Sequence, residues 1–251
     1  MTAPLEIRGL DKSFGALHVT RNVSLTLPAG ARHALIGPNG AGKSTLINLL
    51  TGMLRPSSGS IRLNGRDITQ DPAPARVRQG LSRTFQVSAV FPDLTPFEAV
   101  MLSIAARDGW SGRFLRPFGR MDDAGEEALK LLGLMRLGDV AGLPTRKLAY
   151  GQQRLLEIAL ALASRPKVLL LDEPAAGVPH QESEAVFAAI RDLPRDVAVL
   201  FIEHDMELVF RFAEYIHVLV LGGLFRHGLP AEIAADPEVR NVYLGDVEVA
   251  A

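Results

Sequence analysis

The chain of 251 residues contains no cysteine, which removes disulfides, thiol catalysis and thiolate metal sites and fits a reducing compartment. It also lacks a charge of one sign: 27 basic residues against 28 acidic ones leave a net charge of −1, so no global field draws it to nucleic acid or anionic lipid. Long apolar runs are missing too. The longest, Val168 to Leu171 and Val197 to Ile202, are strand-sized and fall far short of the roughly 20 residues a membrane helix needs, so any link to a membrane is expected to go through a partner. The start, MTAPLEIRGL, has no basic segment followed by an apolar run, and no secretory signal is expected from it. Internal repeats and low-complexity tails are likewise not seen. A chain of this length accommodates one domain with a sizeable inserted lobe.

What is present is organised around Gly37-Pro38-Asn39-Gly40-Ala41-Gly42-Lys43-Ser44-Thr45. Gly37, Gly42, Lys43 and Ser44 stand at the fixed places of G-x-x-x-x-G-K-[ST], between a short apolar strand, His33 to Ile36, and a helix over Leu46 to Leu50. Glycines let consecutive N–H groups curl around phosphates, and the helix behind them points its positive end at the same anion. Lys43 adds a point charge and the Ser44 hydroxyl is placed to ligate Mg²⁺, so the stretch reads as a nucleoside triphosphate site.

Ahead of the loop, Leu5 and Ile7 alternate with polar residues, as do Val23, Leu25 and Leu27, which predicts an antiparallel strand pair with its turn region over Asp11 to Gly15. Ile61 and Leu63 before Asn64-Gly65, with Ile68 after it, predict a hairpin. A short helix is expected over Pro72 to Gln79, and a strand returning to the sheet over Leu81 to Gln86. From about Val87 to about Arg165 the texture is helical: Thr95 to Ala106, a Gly/Arg/Pro-rich loop over Gly109 to Gly119, and Met121 to Met135 with Asp122 and Asp123 favouring its N-terminus. Strand and helix then alternate: strand Lys167 to Asp172, helix Gln181 to Leu193, strand Val197 to Glu203, helix Asp205 to Ala213, strand Tyr215 to Leu221. A turn at Gly222-Gly223 and a short terminal helix within Pro230 to Gly245 follow. The fold class is α/β: a phosphate-loop core with a mostly parallel sheet, an N-terminal antiparallel layer and a helical lobe, residues 87–165, inserted into a single domain over 1–251.

The strand Val168 to Leu171 ends in Asp172 and Glu173. In a phosphate-loop protein the first acid helps hold Mg²⁺ and the second orients the attacking water. Lys43 and Asp172 are separated by the whole helical lobe, and the lobe ends in Leu148-Ala149-Tyr150-Gly151-Gln152-Gln153-Arg154 before an apolar helix. Here the chain resembles the ATP-binding cassette ATPases, whose signature is written LSGGQ, and the resemblance covers nearly its whole length. It implies that Phe14 stacks on adenine, although a core phenylalanine is a fair rival at that position. It further implies that Gln86 contacts Mg²⁺ and joins core to lobe, and that His204 touches the γ-phosphate and supports Glu173, where isolated residues of these types would read as structural. The catalytic pair is then Glu173 and His204, the Mg²⁺ set Ser44, Gln86 and Asp172, and the signature contacts Ala149, Tyr150, Gly151 and Gln152.

LAYGQQR is similar to one branch, the ATP-binding subunits of branched-chain amino-acid importers, as are Asp172 to Gly177, Ile202 to Met206 and Tyr243-Leu244-Gly245. The branch implies an ATP- and Mg²⁺-dependent subunit on the cytoplasmic face of the inner membrane. It pairs head to tail with a second ATP-binding cassette subunit, docks on two permeases through its lobe, and acts indirectly with a solute-binding protein and with no nucleic acid. An ATPase for lipid or lipopolysaccharide export, a DNA- or ribosome-directed ATPase and a nucleotide-dependent scaffold are the rivals. Three departures stand out: Ala149 brings no hydroxyl, Tyr150 replaces a glycine, and Val178-Pro179-His180 lacks the usual loop aspartate or asparagine. Pro179 has neither a polar side chain nor a backbone donor, which puts the coupling between paired ATP sites in doubt. Leu160, where the branch often has arginine, has no assigned consequence.

Overall fold

A computed structural model describes residues 3–84, 91–109 and 119–244. Strands β1 (Leu5–Phe14), β2 (Leu17–Leu27), β4 (Ser58–Leu63) and β5 (Arg66–Asp67) form an antiparallel sheet in the order β2-β1-β4-β5. Its alternation is that of a half-buried layer: Leu5, Ile7, Leu25, Leu27, Ile61 and Leu63 face inward and their neighbours face water. The turn expected over Asp11 to Gly15 is shorter than its residue types suggested. β1 runs through Phe14, and Gly15-Ala16 alone reverse the chain. Asp11 sits inside the strand at an irregular register, where Oδ1 accepts from Asn22 N–H at 3.1 Å and lies 2.7 Å from His18 Nε2.

The second sheet has the order β10-β9-β3-β8-β7-β6, built from β3 (Arg32–Ile36), β6 (Leu81–Arg83), β7 (Val168–Asp172), β8 (Ala198–Ile202), β9 (Tyr215–Val220) and β10 (Gly223–Gly228). All pairings are parallel except that of β10 with β9. Every residue of β3, β7 and β8 is buried, as a parallel sheet covered on both faces requires. Alternate residues serve two cores. Leu35, Leu170, Leu200 and Ile202 pack toward the antiparallel layer and helix α1 (Lys43–Thr51), whereas Ile36, Leu169, Leu171 and Phe201 pack toward the other helices. The sequence predicts a turn at Gly222-Gly223 and no strand after it, because Leu224 to His227 carry no two-residue alternation. β10 forms there as an edge strand, with a register shift between Leu224 and Arg226.

Helix α2 (Ala73–Arg78) leads into β6, which ends at Arg83 within the stretch expected to run to Gln86; residues 85–90, and with them Gln86, lie outside the described residues. The same holds for most of the loop expected over Gly109 to Gly119 and for Gly245. Helices α3 (Pro96–Arg107), α4 (Gly119–Leu134) and α5 (Tyr150–Leu162) pack on one another through Val100, Ile104, Ala128, Leu132 and Leu156, in a core continuous with one face of the large sheet. Thr95 starts α3 with a capping box: its hydroxyl accepts from Glu98 N–H, and the Glu98 carboxylate accepts from Thr95 N–H. Helices α6 (His180–Arg191) and α7 (Met206–Phe212) cover the sheet. The single terminal helix expected after Pro230 is two, α8 (Pro230–Ala235) and α9 (Pro237–Leu244), because Asp236, extended before a proline, breaks the run. Among the described residues no helix is long and apolar enough to cross a membrane.

Two buried arginines staple the layers. Arg76 donates to the carbonyls of Leu49 and Leu50 at the end of α1, both at 2.7 Å, and to those of Thr69 and Asp71. Arg32, in β3, donates to Ile190, Leu193 and Val197 carbonyls at the end of α6 and beyond it. Each guanidinium satisfies carbonyls that a helix end leaves without intrahelical partners.

Candidate functional site

Parallel register brings the chemistry to one edge. Leu35 pairs with Ile202 and Asp172 with Ile202, so the segments following β3, β7 and β8 emerge side by side at the carboxyl end of the sheet. The first is the glycine loop, in which Gly40 and Gly42 take left-handed φ values of 78° and 99°. Gly42 caps α1, and a Cβ on Gly37 would stand 2.1 Å from the Leu219 carbonyl oxygen. Only glycine fits that approach between loop and β9.

Lys43 is buried, and its Nζ donates to the carbonyls of Gly37 at 2.5 Å and Pro38 at 3.0 Å, folding back over its own loop. Burial lowers its pKa, and Glu173 and Asp172 act in the opposite direction, so the ammonium and both carboxylates share one electrostatic neighbourhood. Ser44 is exposed and Thr45 half-buried in the first turn of α1; Pro38 is half-buried, Asn39 and Gly40 are exposed and Ala41 is buried.

Asp172 ends β7 with its side chain 3% exposed. Arg83, on β6, donates through Nη2 to Asp172 Oδ2 at 2.6 Å and through Nη1 to Asn48 Oδ1 at 2.8 Å. The oxygens of Ser44 and Asp172 are the hard donors that Mg²⁺ takes, so the residues fit the ion by their donor chemistry, with Asp172 Oδ2 bonded to Arg83 in this structure. Glu173 follows with φ 51°, left-handed for a residue with a Cβ. Its N–H donates to Ile202 O at 3.0 Å, and its Oε1 lies 2.9 Å from His204 Nε2. The two residues assigned to catalysis are therefore in direct contact.

Glu203 was not singled out among the site residues. It is buried, its Oε1 accepts from Ala175 N–H and its Oε2 from His204 N–H, each at 3.0 Å, and burial pushes its pKa up against those bonds. It thereby brackets the segment after β7 to the segment after β8. Its place beside His204 was the available signal. Arg83 was also missed; its nearness to Gln86 on the returning strand was the one clue.

Two assigned groups stand apart from this edge. Phe14 lies at the turn of the antiparallel sheet, 46% exposed with Lys12 Nζ 4.9 Å from its ring centre, so the rival reading of a core phenylalanine does not hold. Ala149 caps α5, with Tyr150 exposed and Gly151 buried at its start; Gln152 Oε1 accepts from Ala149 N–H at 3.0 Å. Gly151 N–H donates to Glu182 of α6 at 2.9 Å and is aimed at no group of the phosphate loop in the same chain.

A glycine loop feeding a helix, a buried lysine, and an Asp-Glu pair at the end of a parallel neighbouring strand define a phosphate-loop nucleotide triphosphatase. More narrowly, the chain belongs to the ABC transporter family, which it matches over residues 20–176, and is an ATP-binding cassette ATPase. Residues 227–249 match the branched-chain amino acid ATP-binding cassette transporter family. The chain is 38% identical over 249 residues to the high-affinity branched-chain amino acid transport ATP-binding protein BraF of Pseudomonas aeruginosa, covering 96% of this chain and 98% of that protein. To LivG of Salmonella typhimurium, a protein of the same description, it is 37% identical over 254 residues, covering 98% and 100%. To the lipopolysaccharide export system ATP-binding protein LptB of Acidithiobacillus ferridurans it is 36% identical over 247 residues, covering 98% of each. The crystal structure of the ADP conformation of MJ1267, an ATP-binding cassette of an ABC transporter, matches with a TM-score of 0.85 at 27% identity, covering 98% of this chain and all of that one.

Proposed function

We propose that this chain hydrolyses ATP to drive import of branched-chain or similar hydrophobic amino acids, as one ATPase subunit of a membrane transporter. The observation that carries this reading is the near full-length match to BraF and LivG, continued into the C-terminal segment 227–249. Lys43 and His204 stabilise charge on the γ-phosphate, Glu173 polarises the attacking water, Phe14 stacks on adenine, and the backbone from Gly37 to Thr45 cradles the phosphates. Ser44, Asp172 and Gln86 would hold Mg²⁺, which supplies charge neutralisation when bound. Ala149 to Gln152 close over ATP held by a second ATP-binding cassette subunit, head to tail.

The lobe, residues 87–165, is the permease-facing part. A groove of about 680 Å³ between α1, α2 and β6 on one side and α3 and α5 on the other supports this. Met53, Val77, Phe91, Leu102 and Leu160 give it an apolar lining of the kind that accepts an amphipathic segment, and Arg83 ties its floor to Asp172. The subunit works at the cytoplasmic face of the inner membrane, held there by two permeases, and a solute-binding protein presents the amino acid on the far side.

The 36% identity to LptB supports a second reading, export of lipopolysaccharide. Reconstitution with the cognate ATPase and permeases in lipid tests both. Under the first reading ATP hydrolysis rises on assembly and again with leucine-loaded binding protein. Stimulation by lipopolysaccharide and not by the loaded binding protein selects the second, and hydrolysis indifferent to assembly sinks both.

A further inference from the structure

The carboxylate of Glu182 rests on the face of Gly151. Its Oε2 accepts the Gly151 N–H at 2.9 Å, and a Cβ on residue 151 would stand 2.7 Å from that same oxygen. Glu182 belongs to the first turn of α6, so the charge lies at the positive ends of two helices at once, α5 that it caps and α6 that carries it. The neighbouring chain is bound to the same place. Arg154 Nη2 donates to Ala176 O at 3.2 Å, and a Cβ on Gly177 would lie 3.5 Å from Tyr150 Cε1. The stretch from Glu173 to Glu182 and the start of α5 are thus one connected piece, to which Pro179 brings no polar side chain and only its carbonyl, which accepts from Glu182 N–H at 2.9 Å.

The function proposed above closes Ala149 to Gln152 over ATP held by the second subunit, and Gly151 N–H, at the start of α5, would there donate to its γ-phosphate. That N–H has one hydrogen, Glu182 already takes it, and two anions cannot share the position without repulsion. We propose that Glu182 is a stand-in anion and a positioning residue: it fills the γ-phosphate's place at the signature of the open subunit, and ATP-driven closure exchanges carboxylate for phosphate. The inference rests on the head-to-tail reading of the signature and deepens it, since Glu182 then sets how much ATP closure requires. It also assigns a polar partner to a loop in which Pro179 replaces the usual aspartate or asparagine.

Residue-resolved NMR of the full ¹⁵N-labelled chain, titrated with inorganic phosphate, tests this without a second subunit. Glu182→Gln keeps an acceptor for the cap and removes the charge. Its Gly151 amide is expected to shift at a phosphate concentration about five-fold or more below that needed by the wild type, the size of a single charge at a helix end. Glu184→Gln removes the same charge from a side chain that pairs with Arg211 instead, and should behave as wild type. Glu182→Asp keeps the charge and should also stay near wild type, which separates charge from folding of the cap. Equal responses in wild type and Glu182→Gln, or no response at Gly151 in either, overturn the proposal. ATP-induced shifts at Gly40 and Gly42 report the phosphate loop separately: their absence defeats the underlying function, whereas their presence beside an indifferent Gly151 defeats only the stand-in role.

Discussion

His204 Nε2 stands 2.9 Å from Glu173 Oε1, joining the ends of two adjacent parallel strands through a glutamate whose backbone is left-handed. A left-handed non-glycine residue costs about 1–2 kcal/mol. Here the Glu173 N–H is held by Ile202 O and the following segment by Glu203, so the strain is maintained by two neighbouring strands. With the proposed catalytic roles and this contact, the two side chains are expected to act as one unit, so Glu173→Gln and His204→Ala should each lower kcat by about 100-fold or more, on the order of 3 kcal/mol in the barrier. The double variant should lose little beyond either single one. ATP binding should persist in all three. Steady-state hydrolysis with parallel nucleotide-binding measurements checks this, and multiplicative losses would show that the contact is incidental.

Removing Arg83 strands a charge. The Asp172 side chain is 3% exposed and depends on Arg83 for its ion pair, so Arg83→Ala should destabilise the nucleotide-free chain by about 3 kcal/mol. Adding Asp172→Asn to that variant removes the stranded carboxylate and should recover most of the loss. Urea unfolding of wild type, single and double variants decides it. A double variant no more stable than Arg83→Ala would mean that the arginine serves Asn48 and packing more than the carboxylate.

The glycine loop separates two kinds of glycine. At Gly37 a methyl group would meet the Leu219 backbone oxygen at 2.1 Å, whereas at Gly40 nothing lies within 4 Å and only the left-handed backbone opposes a side chain. Gly40→Ala should therefore cost about 1 kcal/mol, the left-handed penalty alone. Gly37→Ala must move β9 or the loop and should cost several times as much, abolishing ATP binding in whatever fraction folds. Urea midpoints and nucleotide titrations of the pair check the contrast, and equal costs would contradict it.

These distinctions mark what could be read in the chain and what could not. The phosphate loop, the buried strands and the Asp172-Glu173 pair are local patterns: glycine at fixed spacing, four to six apolar residues in a row, an acid where a strand stops. Each was legible because burial and backbone geometry act over a few consecutive residues. Arg83 and Asp172 are 89 positions apart, and Gly151 and Glu182 are 31 apart; only the strand order and the packing of α5 on α6 make them neighbours. Arg32 sits wholly buried in a central strand, against composition, because helix-end carbonyls meet it there. The extension of β1 past Asp11 was hidden for a related reason: Asp11 is a turn-forming residue type that here serves a strand irregularity by binding Asn22 and His18.

The last prediction concerns acid. His217 of β9 is buried, stands 3.1 Å from His33 Nδ1 through its Nε2, and has its pKa pushed down from 6.5 to about 3, first by burial and then by the charges of His33 and His227. Burial lowers His33 as well, with Glu214 opposing. A folded chain therefore keeps His217 neutral where an unfolded one protonates it. The stability it contributes is complete above pH 6.5, falls as the unfolded state takes up its proton, and is exhausted once pH passes through about 3. Between pH 7 and 5 the loss should be about 2 kcal/mol for His217, with a smaller share from His33. The depressed carboxylate of Glu127, held near 2 chiefly by its bond to Arg107, contributes stability above 4.5 and loses it only below that, so between pH 6.5 and 4.5 the His217 loss stands clear of it, and the two overlap only below 4.5. Urea midpoints measured from pH 7 down to 4 should decline in the wild type from the top of that range. His217→Gln, which has no proton to gain, should remove most of the slope above pH 5 and leave the steeper loss below it. A wild-type midpoint flat from pH 7 to 5 would mean that the buried histidines are protonated equally in the folded and unfolded chains.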